Sequence, residues 1–319
     1  MTARFILSLD CEGKWGVADH LTPGDHAALS DARLREAYAG ILAALAEFDI
    51  AATFAFVGAF SLPAGRLKAL APALADLARD LPGYLEPALE DMASGTREGW
   101  TGDWALEAVA GARQPHELGL HGATHIPWTW PGMTPALARR ELGLLFAEKA
   151  PILRRTTTYI FPRNAGDHPG VLDEFGIAGL RATRTFPSRI ASLASEFNLF
   201  ERPEGVPPPA RPLSIPAGYF VNWRSGGRKL VPPALSRLRA RNLLERAALT
   251  GEVVHYWTHP ENIASAPGTL DGLRDILAEV ARLRDAGRCT VMTQDDWCRS
   301  IDPDHVAASE ARRDALLAA

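Results

Sequence analysis

Short, almost unbroken apolar runs alternate with longer stretches of helical period along most of this chain, and that alternation narrows its fold more than any other feature. The runs at 5–9, 52–57, 118–120, 157–161, 179–182, 213–216, 253–257 and 290–292 read as strands, several of them apolar enough to be buried on both faces. Between them, 31–48 repeats apolar residues at Leu34, Tyr38, Ile41, Leu42, Leu45 and Phe48 behind a Ser30 cap. Thr134 and Pro135 open a second helix that runs to about Lys149, and 270–286 is periodic and stops at Gly287. Such alternation predicts an α/β fold with a parallel sheet, open or closed into a barrel. A length of 319 residues with 47% apolar content is enough for one large core or two modest ones.

Two regions interrupt the pattern. Residues 61–114 look helical at first and then loop-like around Gly95, Gly99, Trp100, Gly102 and Trp104. Residues 201–233 are rich in proline, glycine and arginine and include the run Pro207-Pro208-Pro209. Both read as excursions from a single domain spanning 1–319, because no compositionally distinct domains flank them; loops of this length often act as lids or binding walls.

The net charge of −4, without a long basic run, argues against nucleic acid and anionic membrane surfaces as partners. No apolar run is long enough to span a bilayer. Met1-Thr2-Ala3-Arg4 leads directly into a strand, without the features of a signal peptide. Cys11, Cys289 and Cys298 form no C-x-x-C pair and are too few for a disulfide framework. A soluble, cytoplasmic protein is the expectation.

The chemistry-bearing residues lie at strand ends. Asp10 and Glu12 follow Phe5-Ile6-Leu7-Ser8-Leu9 and precede Gly13. In extended backbone, residues two apart share a face, and two carboxylates so placed repel unless a cation or a proton separates them. His121 and His125 lie four apart, a spacing that in a helical turn directs both rings at one ion. Nine histidines in 319 residues give roughly 0.2 such pairs by chance; the chain has two, the other being His255 and His259. Along a strand these two stand about 13 Å apart, so His259, before Pro260, belongs at the rim and His255 deeper in the core. Arg163 and Asn164 follow another buried run. Two histidines and a carboxylate with an open position form a recurrent catalytic zinc arrangement, and in alternating α/β barrels the carboxyl ends of the strands build the active site. Cys11, between the two acids, is expected to point the opposite way and pack as a small hydrophobe.

Taken in order, these motifs resemble the polysaccharide deacetylase family, or NodB-homology domain. The matching pieces are Leu9-Asp10-Cys11-Glu12-Gly13, Ala52-Thr53-Phe54, His121 to His125, Phe161-Pro162-Arg163-Asn164 and Trp257-Thr258-His259-Pro260. The resemblance implies a distorted (β/α) barrel and metal-dependent hydrolysis of an acyl group, often the N-acetyl group of a sugar in a surface polysaccharide or its precursor. It assigns Asp10 as base, Glu12, His121 and His125 as ligands of a divalent metal (zinc first, then cobalt, nickel or manganese), and His259 as acid. Arg163 is expected to steady Asp10, a backbone N–H near Asn164 to meet the oxyanion, and Trp15 and Trp128 to wall the pocket. Separation of the acids by Cys11, and Glu at the ligand position, liken the chain to a spaced-acid subgroup that includes amidases of small cyclic amides; such relatives imply a homo-oligomer. The family's acidic fourth motif is missing, which leaves Asp295 or Asp296 as the residue expected to orient His259. The competing readings are an amidohydrolase of a small non-sugar amide and a non-catalytic barrel that binds carbohydrate or a protein partner.

Overall fold

A computed structural model of the chain describes residues 1–208 and 210–319, so Pro209 of the proline run lies outside the described residues. Among the described residues, nine strands form one parallel sheet: β1 (Ala3–Cys11), β2 (Thr53–Phe56), β3 (Glu117–Leu120), β4 (Thr158–Tyr159), β5 (Gly179–Arg181), β6 (Leu213–Ile215), β7 (Tyr219–Phe220), β8 (Val253–Thr258) and β9 (Cys289–Met292). The order is β6-β5-β4-β3-β2-β1-β8-β7. One edge of β1 pairs with β8; the other pairs with β9 through residues 3–6 and with β2 through residues 8–11.

The sheet curls into the distorted (β/α) barrel that the sequence motifs implied. Its two ends, β6 and β7, are consecutive pieces of one extended segment broken at Pro216-Ala217-Gly218, the first paired with β5 and the second with β8. The broken ladder at this seam leaves backbone groups that side chains satisfy. His255 Nδ1 donates to the Pro216 carbonyl at 2.6 Å, and the Gly218 N–H donates to Glu204 at 2.8 Å. Gly218 has φ +85, and a Cβ there would lie 2.8 Å from the His255 carbonyl, so only glycine passes this point.

Strand alternation sorts the two faces. Phe5, Leu7, Leu9, Cys11, Phe54, Phe56, Leu118, Leu120, Val254 and Tyr256 join the main core under the surrounding helices. Cys11 is thus a core residue, as its position between the acids led us to expect. The opposite parity turns Ile6, Ser8, Asp10, Thr53, Glu117, Thr158, Arg181 and His255 into the curl, where all are buried. The floor of the curl is closed by the helix Gln294–Ile301, whose Trp297 and Cys298 pack with Ile6, Ala178, Leu213 and Ile215. At its N-terminus the Asp295 N–H donates to Glu117 at 2.8 Å, and Thr53 donates to the same carboxylate oxygen at 2.7 Å. The upper end of the curl is left to polar chemistry.

The two excursions take different forms. The first holds helices Ala64–Asp80, Glu86–Ser94 and Asp103–Ala110, the last over residues expected to be loop. The second carries β6 and β7, so part of it is barrel wall; Tyr219–Phe220, only two residues long, lacked a run that periodicity could detect. Among the described residues, no helix is long and apolar enough to cross a membrane.

His255 makes the seam sensitive to acid. Burial, then the Arg181 charge, push its pKa down to about 3. The unfolded chain binds a proton near the ordinary value of about 6.5, so the stability due to neutral His255 is complete above that value and is lost as pH falls from there toward 3. Denaturant titrations at pH 7, 5 and 4 should show a falling midpoint in the wild type and a shallower fall in His255→Asn.

Candidate metal and catalytic site

The open end of the curl gathers residues from five strand ends. Asp10 is the next-to-last residue of β1, and Glu12 follows in a turn that Gly13 completes at φ +56. His121 and His125 follow β3, Asn164 follows β4, Arg181 ends β5 and His259 follows β8. The H-x-x-x-H spacing is not helical here. Residues 121–125 form a loop in which Gly122 has φ +78 and His125 φ +66, and this turn brings the rings to 4.9 Å between centroids.

Glu12 Oε1 lies 3.0 Å from both His121 Nε2 and His125 Nε2. The far side of each ring decides what those nitrogens carry. His121 Nδ1 faces the Ile160 carbonyl at 2.9 Å, which can only accept, so Nδ1 holds the proton. His125 Nδ1 meets the Tyr84 hydroxyl at 2.7 Å, and that hydroxyl donates to the Trp15 carbonyl at 3.2 Å, so the ring again donates from Nδ1. Two imidazole lone pairs and a carboxylate oxygen therefore converge on one point. Three acceptors in a buried space call for a cation, and Glu12, His121 and His125 are a group able to hold one.

Asp10 lies beside this group and is 1% exposed. Arg181, not Arg163, holds it: the guanidinium makes a two-pronged contact with Asp10 at 2.8 and 2.7 Å, and adds bonds to Ser8 at 3.0 Å and Asn164 Oδ1 at 2.8 Å. Burial alone would raise the Asp10 pKa; Arg181 foremost, with His121 and His259, outweighs it and keeps the carboxyl below its ordinary value. Arg163 turns away because its backbone is left-handed (φ +56), and its guanidinium pairs with Asp19 at 2.9 Å.

His259 Nε2 stands 3.3 Å from Glu12 and 4.0 Å from Asp10. Burial works to lower its pKa, but Glu12, Asp10 and Glu261 prevail and raise it to about 9. Its Nδ1 meets the Asn262 carboxamide at 3.0 Å. Asp295 and Asp296 are instead at the floor of the curl, paired with Arg299 and capping Thr293, so neither orients His259.

Other expected placements also change. Trp15 is fully buried, donates to the Trp100 carbonyl and packs edge-on against Trp100. Trp128 is buried against Tyr159 and Phe161. Neither walls the cleft; Phe220, Trp223 and Trp257 do. The Asn164 N–H donates to the Phe161 carbonyl at 2.9 Å, which leaves its side chain, on Arg181, as its contribution to the site.

Two buried glutamates that the motifs did not single out hold the loops in place. Glu261 accepts from the backbone N–H groups of Glu12 at 2.9 Å and Gly13 at 2.6 Å. Glu141 accepts from the N–H groups of Ala123 at 2.8 Å and Thr124 at 2.7 Å, and from the Thr124 hydroxyl at 2.9 Å. Glu141 could have been found: it sits with Ala138, Leu142 and Leu145 on the buried face of the helix Pro135–Ala147.

No family model and no curated protein sequence matches the chain. Solved structures do. A Mycobacterium smegmatis protein assigned as a polysaccharide deacetylase matches with a TM-score of 0.61 at 17% identity, over 97% of this chain and 91% of that one. A Pseudomonas aeruginosa PAO1 protein assigned likewise gives 0.60 at 10% identity, over 95% and 92%. The allantoinase Puue gives 0.53 at 12% identity, over 95% and 91%. The fold is the polysaccharide deacetylase barrel, and the likeness read from the motifs extends over nearly the whole chain.

Removing the Glu141 carboxylate strands two buried backbone donors and a hydroxyl. Glu141→Leu should cost about 3 kcal/mol or more in denaturant titrations, while Glu141→Gln, which keeps an acceptor oxygen, should lose markedly less.

Proposed function

We propose that the chain is a metal-dependent hydrolase that removes an acyl group, in the first instance N-acetyl, from a sugar of a surface polysaccharide or its precursor. The observation that carries this reading is the convergence of Glu12 Oε1, His121 Nε2 and His125 Nε2 beside a carboxylate and an imidazole of opposite charge. Glu12, His121 and His125 would hold the ion, for which zinc suits a site of two nitrogens and one oxygen. Such an ion supplies Lewis acidity and a water of lowered pKa.

The remaining roles fall to the side chains. Asp10, kept ionised by Arg181, takes the proton of the attacking water. His259, protonated by virtue of the carboxylates around it, donates to the leaving nitrogen as the carbon–nitrogen bond breaks. Arg181 fixes the aim of Asp10, and the aromatic side chains Phe220, Trp223 and Trp257 offer faces on which a sugar ring stacks.

A second reading is hydrolysis of a small non-sugar amide. The single residue between Asp10 and Glu12, Glu at the ligand position and the likeness to an allantoinase fold favour it.

Elemental analysis should find one divalent ion per chain, lost in His121→Ala and His125→Ala; unchanged metal in both variants would sink the site. Acetate release from N-acetylated sugars should require that ion, and Asp10→Asn should keep the metal while turnover falls by about 10²–10⁴. Turnover confined to small cyclic amides would select the second reading. Metal without turnover on either panel would select a binding protein.

A further inference from the structure

The cleft beside His259 has a volume of about 640 Å³ and an uneven charge. Four guanidiniums line it, from Arg163, Arg184, Arg228 and Arg239, against a single lining carboxylate, Glu196. The carboxylates behind the wall do not restore the balance. Asp19 pairs with Arg163, and Glu196 with Arg228. Glu201 is shared by two cations, Arg184 and Arg239. The remaining acid nearby, Glu204, accepts the Gly218 N–H and, among the described residues, pairs with none of these four guanidiniums. One positive charge at this wall therefore has no carboxylate of its own.

Exposure identifies which guanidinium carries it outward. The Arg239 and Glu201 side chains are each 7% exposed, whereas Arg184 is 32% exposed. Arg184 lies over Tyr219 at 4.9 Å and Phe186 at 5.2 Å, so its plane is held by aromatic faces. A fixed, partly desolvated guanidinium offers paired N–H donors to a planar carboxylate or a phosphate, geometry that a neutral hydroxyl cannot fully use. Arg228, on the same wall and over Phe220 at 5.0 Å, adds a second donor.

We infer that the substrate of this site bears an anionic group, a carboxylate or a phosphate, which Arg184 and Arg228 receive while the acyl group lies at Asp10 and Glu12. This deepens the hydrolase reading, on which it rests, by naming a charged rather than a neutral acylated compound. Arg184 would then set specificity without taking part in bond cleavage.

Calorimetry on the metal-loaded protein tests it with N-acetylglucosamine, N-acetylglucosamine 6-phosphate and N-acetylmuramic acid. At least one anionic sugar should bind about tenfold more tightly than the neutral one, with the gap shrinking at high salt; which one it is distinguishes phosphate from carboxylate. Arg184→Ala should remove that preference and leave the neutral sugar unchanged, while Arg184→Lys, which keeps the charge and guards against a folding artefact, should retain part of it. Equal binding of all three, no binding of either anion, or an equal loss for all three in Arg184→Ala would overturn the inference. Acetate release, measured in parallel, separates the two claims. Anion preference without release sinks only the deacetylase reading, and release from the neutral sugar without preference sinks only the anionic one.

Discussion

A guanidinium with no exposed surface, inside a parallel sheet, is the constraint around which the upper half of this barrel is arranged. Burying Arg181 is costly unless its donors are used. The fold commits Asp10 to it through two bonds, adds Ser8 and Asn164, and lays Trp257 across its face at 4.9 Å. Ser8 passes the network on to His255, whose other nitrogen bonds Pro216 at the seam. One buried cation thus links β5, β1, the loop after β4, β8 and the closing segment. A buried ion pair seldom adds much net stability over an apolar substitute. Its consequence here is chemical: a carboxylate in a dry interior that stays ionised.

The loops bearing the candidate ligands depend on the same device at smaller scale. Each leaves strand geometry abruptly, at Gly13 and at Gly122, and each turn exposes adjacent backbone N–H groups within the protein. Glu261 meets one pair and Glu141 the other. The two carboxylates come from different helices, Pro260–Ser265 and Pro135–Ala147, so the barrel's outer layer fixes the position of its inner chemistry. Tyr84, from the first excursion, adds the bond that sets the His125 tautomer. A region that looked like an insertion therefore contributes to the site.

Much of this was legible in the residues alone, and the exceptions have a common cause. Buried strands announce themselves by continuous apolar runs, and residues two apart share a face, so the barrel class and the inward turn of Asp10 follow from local pattern. Glu12, His121, His125 and His259 do meet, because each is anchored to a strand end. Arg163 was expected to reach Asp10 from the family resemblance, and a left-handed backbone at that residue reverses its direction. The available signal was Arg181, a lone charge in the run 179–182, which parity alone places on the inner face. Trp15 and Trp128 adjoin the motifs in sequence yet point into the core, since neighbouring residues on a turn share no face. The cleft wall comes from 219–223 and 257, brought together by the pairing of β7 with β8 across a connection of more than thirty residues, which no local pattern encodes.

The charges at the site also account for why His259 and Asp10 can hold opposite protonation states so close together. Two ionised carboxylates, Asp10 and Glu12, face one fixed cation, Arg181, and His259 supplies the balancing charge by staying protonated up to about 9. Glu261 is pushed up to about 8 by burial first and then by the Glu12 charge, so near neutrality it adds little further negative charge. That balance depends on Glu12 acting as the partner of His259. Were Glu12 to hold a divalent cation together with His121 and His125, as proposed, it would no longer favour the imidazolium, and the His259 pKa would fall from about 9. Asp10, beside His259 at 4.0 Å, would limit that fall. Such a descent would bring His259 toward the range in which an imidazolium gives up its proton readily at neutral pH. The spacing of Asp10 and Glu12 by one residue thus gives the two carboxylates different partners. Asp10 is held foremost by Arg181, whereas Glu12 meets His121 and His125 at 3.0 Å and His259 at 3.3 Å.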